Sequence, residues 1–267
     1  MIAGKYNIIK KISEGSFGSV FQGTSIRTME DVAIKVELKK NDIKTLKMEA
    51  KIYQLLKEEI GFPRLKWYGT NDNINYLVID LLGCSLNDLV KEKGRLLEKE
   101  VVELGIQMIE LVKKLHEKEL IHRDIKPNNF LFARNGSKIL HLIDMGFCKR
   151  YVNEGHHMQP KLLKHPIGTP NYVSINVHNN IEPSRRDDIE SCIYVMIYML
   201  NGCLAWENLK FDKEMVQQKR MCRLKDECIP RFIVHMLNHV VMLDFSEAPN
   251  YRYLINILTR ELNTKFA

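Results

Sequence analysis

Residues 121–130 read IHRDIKPNNF, a polar loop set between two apolar stretches. Upstream, Val101, Leu104, Met108, Leu111 and Leu115 recur at three- and four-residue spacing, the stripe of an amphipathic helix. Downstream, LHLIDMGF at 140–147 is a short apolar strand that ends on an acidic residue. Loops held by a rigid scaffold are where catalytic groups sit. A lone H-R-D tripeptide means little, but here the full spacing H-R-D-x-x-x-x-N is present. The Asp124 carboxylate can accept a hydrogen bond from a substrate hydroxyl, and Asn129 can offer a carbonyl oxygen to a hard cation. Asp144 follows Asp124 by 20 residues, a length that fits a hairpin between them. At a strand end it suits a magnesium ligand; taken alone it reads as a turn aspartate.

Working back toward the N-terminus, residues 6–12, 18–24 and 31–38 are rich in Val, Ile, Phe and Tyr, and Gly15, Gly18 and Gly23 punctuate them. The pattern predicts an antiparallel meander. SEGSFG at 13–18 follows the first of these strands, and its backbone N–H groups could cover phosphates. VAIK at 32–35 places Lys35 in an apolar strand. Glu49 follows 14 residues later, in a helix that Asn41 can cap and whose stripe is Leu46, Ala50, Tyr53 and Leu56. A Lys35–Glu49 pair across strand and helix would hold the ammonium over nucleotide phosphates. Strands are also expected at 65–69 and 75–81, and helices at 186–200, 231–243 and 250–263. Strands thus dominate the first 81 residues and helices the rest. This segregation predicts an α+β fold in two lobes, about 1–81 and about 82–267, without a flexible linker between them.

The four motifs, in this order, resemble a eukaryotic protein kinase over essentially the whole chain. A closer resemblance, from about Tyr6 to Leu262, is to the casein kinase 1 family. It is carried by EAKIYQLL (49–56), DLLGCSLNDL (80–89), SINVH (174–178) and IEPSRRDDIES (181–191). Most kinases end the activation segment with A-P-E; this family has S-I-N, as in Ser174, Ile175 and Asn176 here. The resemblance implies a bilobal fold with a small β-rich N-lobe and a larger helical C-lobe. It also implies a serine/threonine kinase using ATP and Mg2+ on protein substrates with acidic or phosphorylated segments. By family analogy Lys126 neutralises the transferred phosphoryl group, Thr169 helps to position Asp124, and Asp188 braces the catalytic loop backbone. Around the nucleotide the resemblance places Ile12, Gly15, Ser16, Gly18 and Val20 from the Gly-rich hairpin. Ala33, Lys35, Glu49 and Leu131 join them, with Ile79, Asp80 and Leu82 as the hinge whose backbone meets adenine. Asn129 and Asp144 are the implied metal ligands.

Three positions depart from the pattern. Ser13 replaces the first glycine of the Gly-rich loop, Met145 the Phe of D-F-G, and Asn171 the Arg that the family carries in G-T-A-R-Y. Met can fill the apolar position of the Phe, whereas Asn cannot offer phosphate a charged fork. A weakened preference for phosphorylated substrates is the expectation, with Lys164 facing the same region. Between Asp144 and Thr169 there is no other Ser or Thr, only Tyr151. Activity without phosphorylation of this loop is therefore expected.

Composition narrows the partners. The chain has 267 residues, 45% of them hydrophobic and 27% charged, which excludes collagen, low complexity and wholesale disorder. Six cysteines show neither a scaffold density nor zinc-finger spacing, so free thiols in a reducing compartment, cytoplasm or nucleus, are expected. The N-terminal stretch MIAGKYNIIKKIS lacks a secretory signal pattern, and the longest apolar run, Cys192 to Leu200, is too short to span a bilayer. The net charge is +7, and residues 145–186 contribute six Lys and Arg against two acidic residues, with four histidines. That concentration favours acidic peptide segments as partners. A nucleic-acid binder would need aromatic residues interleaved with a basic stripe, and none is found. A pseudokinase scaffold is the other competing reading, against which Lys35, Glu49, Asp124, Asn129 and Asp144 all survive. A monomer of one kinase core with nothing appended is expected. Of the remaining features, His156 and His157 suit a metal poorly as sequence neighbours, and Cys148 reads as a buried inert thiol. Arg185 and Arg186 read either as a recognition patch or as helix-start partners of Asp187, Asp188 or Glu190.

Overall fold

The computed structural model describes residues 1–15, 18–39, 45–71, 73–209, 212–224 and 229–266. Ser16, the capping position Asn41 and Cys228 lie outside the described residues. The chain divides into two compact units, Met1–Cys84 with Leu131–Gly146, and Ser85–Phe130 with Phe147–Ala267. The expected single division near residue 81 is thus refined: residues 131–146, with Asp144, group with the first unit. Backbone hydrogen bonds explain this. Leu142 N–H donates to Gly61 O at 2.9 Å, Gly83 N–H to Phe132 O at 2.8 Å and Phe132 N–H to Cys84 O at 3.0 Å.

The first unit is an antiparallel sheet of β1 (Tyr6–Gly15), β2 (Gly18–Ser25), β3 (Asp31–Leu38), β4 (Leu65–Thr70) and β5 (Ile74–Asp80), in the order β1-β2-β3-β5-β4. Helix α1 (Thr45–Leu55) joins β3 to β4 in sequence. Period-two alternation sorts the side chains. On one face Val32, Ile34 and Val78 form a core with Ile2 and Tyr6, against which Phe21, Trp67 and Tyr76 pack. Trp67 lies so close across Gly69 that a Cβ there would sit 2.0 Å from the indole. The register pairs Val20 with Lys35, Lys35 with Leu77, and Ala33 with Ile79, which sets these residues on the opposite face.

The second unit is helical: α2 (Leu86–Lys93), α3 (Glu98–Glu117), α4 (Ile175–His178), α5 (Arg185–Asn201), α6 (Asp212–Leu224), α7 (Arg231–Val241) and α8 (Tyr251–Lys265). The apolar run expected to be a buried core helix is α5, buried from Asp187 through Met199. It packs against α3 and α7, and α3 packs against α8. The α3 stripe Val101, Leu104, Met108, Leu111 and Leu115 is buried as expected. Three helices were not anticipated: α2, the single-turn α4 and α6. Helix α2 starts on a capping box in which Asp88 N–H donates to Ser85 Oγ and Ser85 N–H donates to Asp88 Oδ2. Helix α6 lacks an apolar stripe; only Met215 and Lys219 are buried among its described side chains. Among the described residues no helix is long and apolar enough to cross a membrane.

Helices α2 and α5 end against each other. Gly202 caps α5 in the left-handed region (φ 77°), and a Cβ there would lie 2.1 Å from the Gly94 carbonyl oxygen at the end of α2. Gly202→Ala combines backbone strain with a clash against rigid backbone, and a loss of about 3 kcal/mol in unfolding free energy is expected. Urea denaturation measures it; an unchanged midpoint would show that the two helix ends separate at no cost.

Candidate active site

Lys35, in the first unit, leaves β3 and meets two carboxylates. Its Nζ donates to Glu49 Oε2 at 2.8 Å and to Asp144 Oδ1 at 2.7 Å. Glu49 and Tyr53 stand one turn apart on α1 and are both buried. The Tyr53 hydroxyl accepts from Asp144 N–H at 3.1 Å, so one face of α1 holds both Lys35 and the chain at Asp144. Burial opposes the Lys35 ammonium, but the charges of Glu49 and Asp144 prevail and hold its pKa above the ordinary lysine value. Burial pushes the Glu49 carboxyl above its ordinary range against the pull of Lys35. Asp144 has φ 66°, a left-handed conformation that aspartate tolerates better than most residues. The Lys35–Glu49 pair predicted from spacing is therefore present.

The residues of the polar loop at 121–130 belong to the second unit. Asp124 is buried, and its two carboxylate oxygens are engaged separately: Thr169 Oγ1 donates to Oδ1 at 2.7 Å and Lys126 Nζ to Oδ2 at 2.6 Å. Asn129, on a short 3-10 turn, donates its amide nitrogen to the Asp124 carbonyl at 2.8 Å. In the second unit the Asn129 side-chain oxygen is the atom this leaves for a cation; in the first, the Asp144 carboxylate is a hard oxygen donor. Each is a donor type that suits Mg2+.

Beneath the loop lies Asp188 of α5. Its carboxylate accepts His122 N–H at 2.7 Å, Arg123 N–H at 2.9 Å and His116 Nε2–H at 3.0 Å. Burial works against ionisation of Asp188, yet the hydrogen bonds from His116 and the His122 N–H hold its carboxyl below the usual range. Burial lowers His116, so the ring is neutral at pH 7, donating from Nε2 and accepting the Tyr251 hydroxyl on Nδ1 at 2.7 Å. Arg123 sits at φ 68°. Its backbone N–H on Asp188 and its Nε on Phe147 O at 2.6 Å hold it in that disfavoured conformation. His116 and Tyr251 were missed because an apolar helix face and a helix start offer no local mark of a polar network.

The other candidate positions are also placed. Gly15 pairs with Gly18 at the end of the β1–β2 hairpin, and Ser13 continues the ladder opposite Val20. Ile12 is exposed on β1. Asp80 donates its N–H to Arg64 O at 3.2 Å, and its carboxylate accepts Arg64 N–H and pairs with Lys66. Leu82 and Leu131 are half-buried within the first unit. Met145 is fully buried, filling its apolar site as expected. Cys148 is half-buried rather than buried. Arg185 and Arg186 do not chiefly pair with the α5 carboxylates: they donate to the carbonyls of Ser246 and Leu243, and Arg186 Nε only approaches Asp187 at 3.8 Å. His156 and His157 form one strand of a small hairpin, and His157 Nδ1 lies 2.7 Å from Met158 O.

Compared with known families, residues 6–256 match the model of the protein kinase domain.

Asp188 has a folded pKa below its unfolded one, so its contribution is full above the ordinary value of 3.8 and is lost as pH falls through the folded value. Asp188→Ala is expected to lower unfolding free energy by about 3 kcal/mol at neutral pH, because it strands three buried donors. The deficit should hold steady above the ordinary carboxylate value of 3.8 and narrow as pH falls below it. Denaturation across a pH series checks this; a pH-independent deficit would assign the loss to packing.

Proposed function

The chain belongs to the protein kinase domain family, and from that premise we propose that it is a casein kinase 1-like serine/threonine kinase acting on acidic or phosphorylated protein segments. The observation that carries the reading is the double engagement of Asp124, with Thr169 on one carboxylate oxygen and Lys126 on the other. Asp124 orients the attacking hydroxyl and takes its proton as the oxygen bonds to the γ-phosphorus. The bond to the β,γ-bridging oxygen breaks and ADP departs with the electron pair. Lys126, beside Asp124, offsets phosphoryl charge, and Lys35 orients the nucleotide phosphates. By the same resemblance Asn129 and Asp144 would hold Mg2+, which would supply further charge neutralisation. Catalysis of this kind is positioning and electrostatics rather than covalent chemistry.

Several contacts support activity without loop phosphorylation. Tyr151, the lone hydroxyl residue between Asp144 and Thr169, is buried and donates to His116 O at 2.7 Å. The segment is tied down by a Lys149–Glu182 ion pair and by Glu182 N–H on Lys161 O at 2.8 Å. Leu163 N–H adds a bond to Asn180 O at 2.7 Å. Of the basic residues here, Lys149 and Arg150 pair with Glu182 and Glu119, while Lys161 and Lys164 are exposed. These two are the cations we assign to acidic substrate segments. A monomer within the cytoplasm or nucleus completes the reading.

Protein made in bacteria and treated with phosphatase is expected to phosphorylate casein on Ser and Thr, and Asp124→Asn to lower kcat by roughly 10²–10⁴-fold. No activity until an upstream kinase is added would overturn loop independence; equal activity of Asp124→Asn would overturn the assignment of Asp124. Paired peptides with phosphoserine or serine three residues before the acceptor test the consequence of Asn171. The expected ratio of kcat/KM is small, within about ten-fold, because Asn offers no charged fork. A strong preference for the phosphopeptide would refute it.

A further inference from the structure

Lys219 is the anomaly of α6. On a helix whose other described charged side chains are exposed, it is 0% exposed. Its ammonium lies 3.0 Å from Pro170 O, 2.6 Å from Val173 O and 2.9 Å from His178 Nε2. An ammonium has three N–H donors, and here each meets one acceptor. His178 Nδ1 lies 2.9 Å from Asp212 Oδ1, which fixes the tautomer: Nδ1–H donates to Asp212 and Nε2 receives Lys219. The rings of Tyr194 and Trp206 stand 4.8 and 5.5 Å from Nζ.

The backbone that Lys219 grips leads to the reacting carboxylate. Tyr172 and Val173 N–H groups donate to Thr169 O at 2.9 and 3.1 Å. Trp206 Nε1–H fastens Asn171 O at 2.7 Å. The Thr169 hydroxyl then donates to Asp124. We propose that Lys219 is a positioning residue for phosphoryl transfer: its charged form fastens the turn at residues 170–173, and so keeps the Thr169 hydroxyl on Asp124. This rests on the kinase reading of Asp124.

A neutral amine has only two N–H donors, so loss of the proton abandons one acceptor. Burial pushes the Lys219 pKa down to about 7, against the charges of Glu190 on α5 and Asp212 on α6. The ammonium is therefore present below that value and lost as pH rises through it. At the acid end, burial and the Lys219 charge hold His178 below its ordinary value. Protonating His178 would remove an acceptor and oppose two cations. The turn is held in the window between the two titrations.

The chain has two tryptophans, so in full-length Trp67→Phe protein the one indole N–H resonance is that of Trp206. It is expected to shift with a midpoint of about 7, and kcat to fall over the same range with KM for ATP little changed. Lys219→Arg keeps its charge and should flatten both profiles between about pH 6 and about pH 9. Lys219→Met should lower kcat about ten-fold at about pH 6. A Trp206 resonance that ignores pH across that range, or Lys219→Met with the wild-type kcat and pH profile, would overturn the proposal. If a variant fails to fold, the titration of Trp206 in protein retaining Lys219 still decides. Wild-type protein without phosphotransfer at any pH counts against the kinase reading, whereas active protein with a flat profile counts against Lys219.

Discussion

A buried carboxylate must find hydrogen-bond donors, and the first turns of α5 bury Asp187, Asp188 and Glu190. Each is satisfied by a different stretch of chain. Asp187 takes the Ser174 hydroxyl at 2.5 Å and Ser184 N–H at 2.7 Å, and burial still pushes its pKa up to about 6. Asp188 takes the backbone N–H groups of His122 and Arg123. Glu190 takes Ile175 N–H at 3.0 Å and the Tyr194 hydroxyl at 2.6 Å. The positive end of the helix favours anions at Asp187 and Asp188, but the energy of leaving them unpaired is what enforces the fold. The loop bearing Asp124 and the stretch around Ser174 are clamped to one helix, so the second unit cannot reach its packed state with either displaced.

The first unit solves the converse problem. Lys35 is a cation in an apolar sheet face, and it is retained because Glu49 and Asp144 both reach it. The residues come from a strand, a helix and the chain segment after Leu142, so the ion cluster fixes three elements at one point. Tyr53 adds a bond to the backbone of Asp144, which ties the unusual left-handed aspartate to the same helix that supplies Glu49. Buried charge is costly to break and of modest net benefit when intact; its use here is to specify one arrangement.

Much of this was legible because it is periodic or compact in sequence. The β1–β3 meander, the α1 stripe and the α3 stripe follow from side-chain spacing. Asp124, Asn129, Lys35 and Asp144 stand in short motifs whose chemistry needs those residue types. What stayed hidden depends on partners far away in the chain. Lys219 sits in a run of charged and amide residues and reads as solvated; only the carbonyls of residues 170 and 173 make it a buried donor. His116 looks like one more residue of α3 until Asp188 and Tyr251 arrive from far downstream. Helix α6 buries too little to leave a stripe, and α2 is short, though its Ser85–Asp88 capping box was a readable start signal. The return of residues 131–146 to the first unit is likewise invisible to a reading that divides a chain at one point.

The two indoles are distributed one to each unit. Trp67 is packed across Gly69 against Tyr76, with ring centroids 6.3 Å apart, and Trp206 is wholly buried beside Tyr194 at 5.2 Å. Each unit therefore carries its own intrinsic fluorophore in an aromatic setting, Trp67 partly buried and Trp206 dry. Removing one leaves the other as a clean optical signal, so the cooperativity of unfolding becomes an observable: coincident transitions from the two probes mean a single melting event, and separated ones mean that the sheet and the helices come apart in turn.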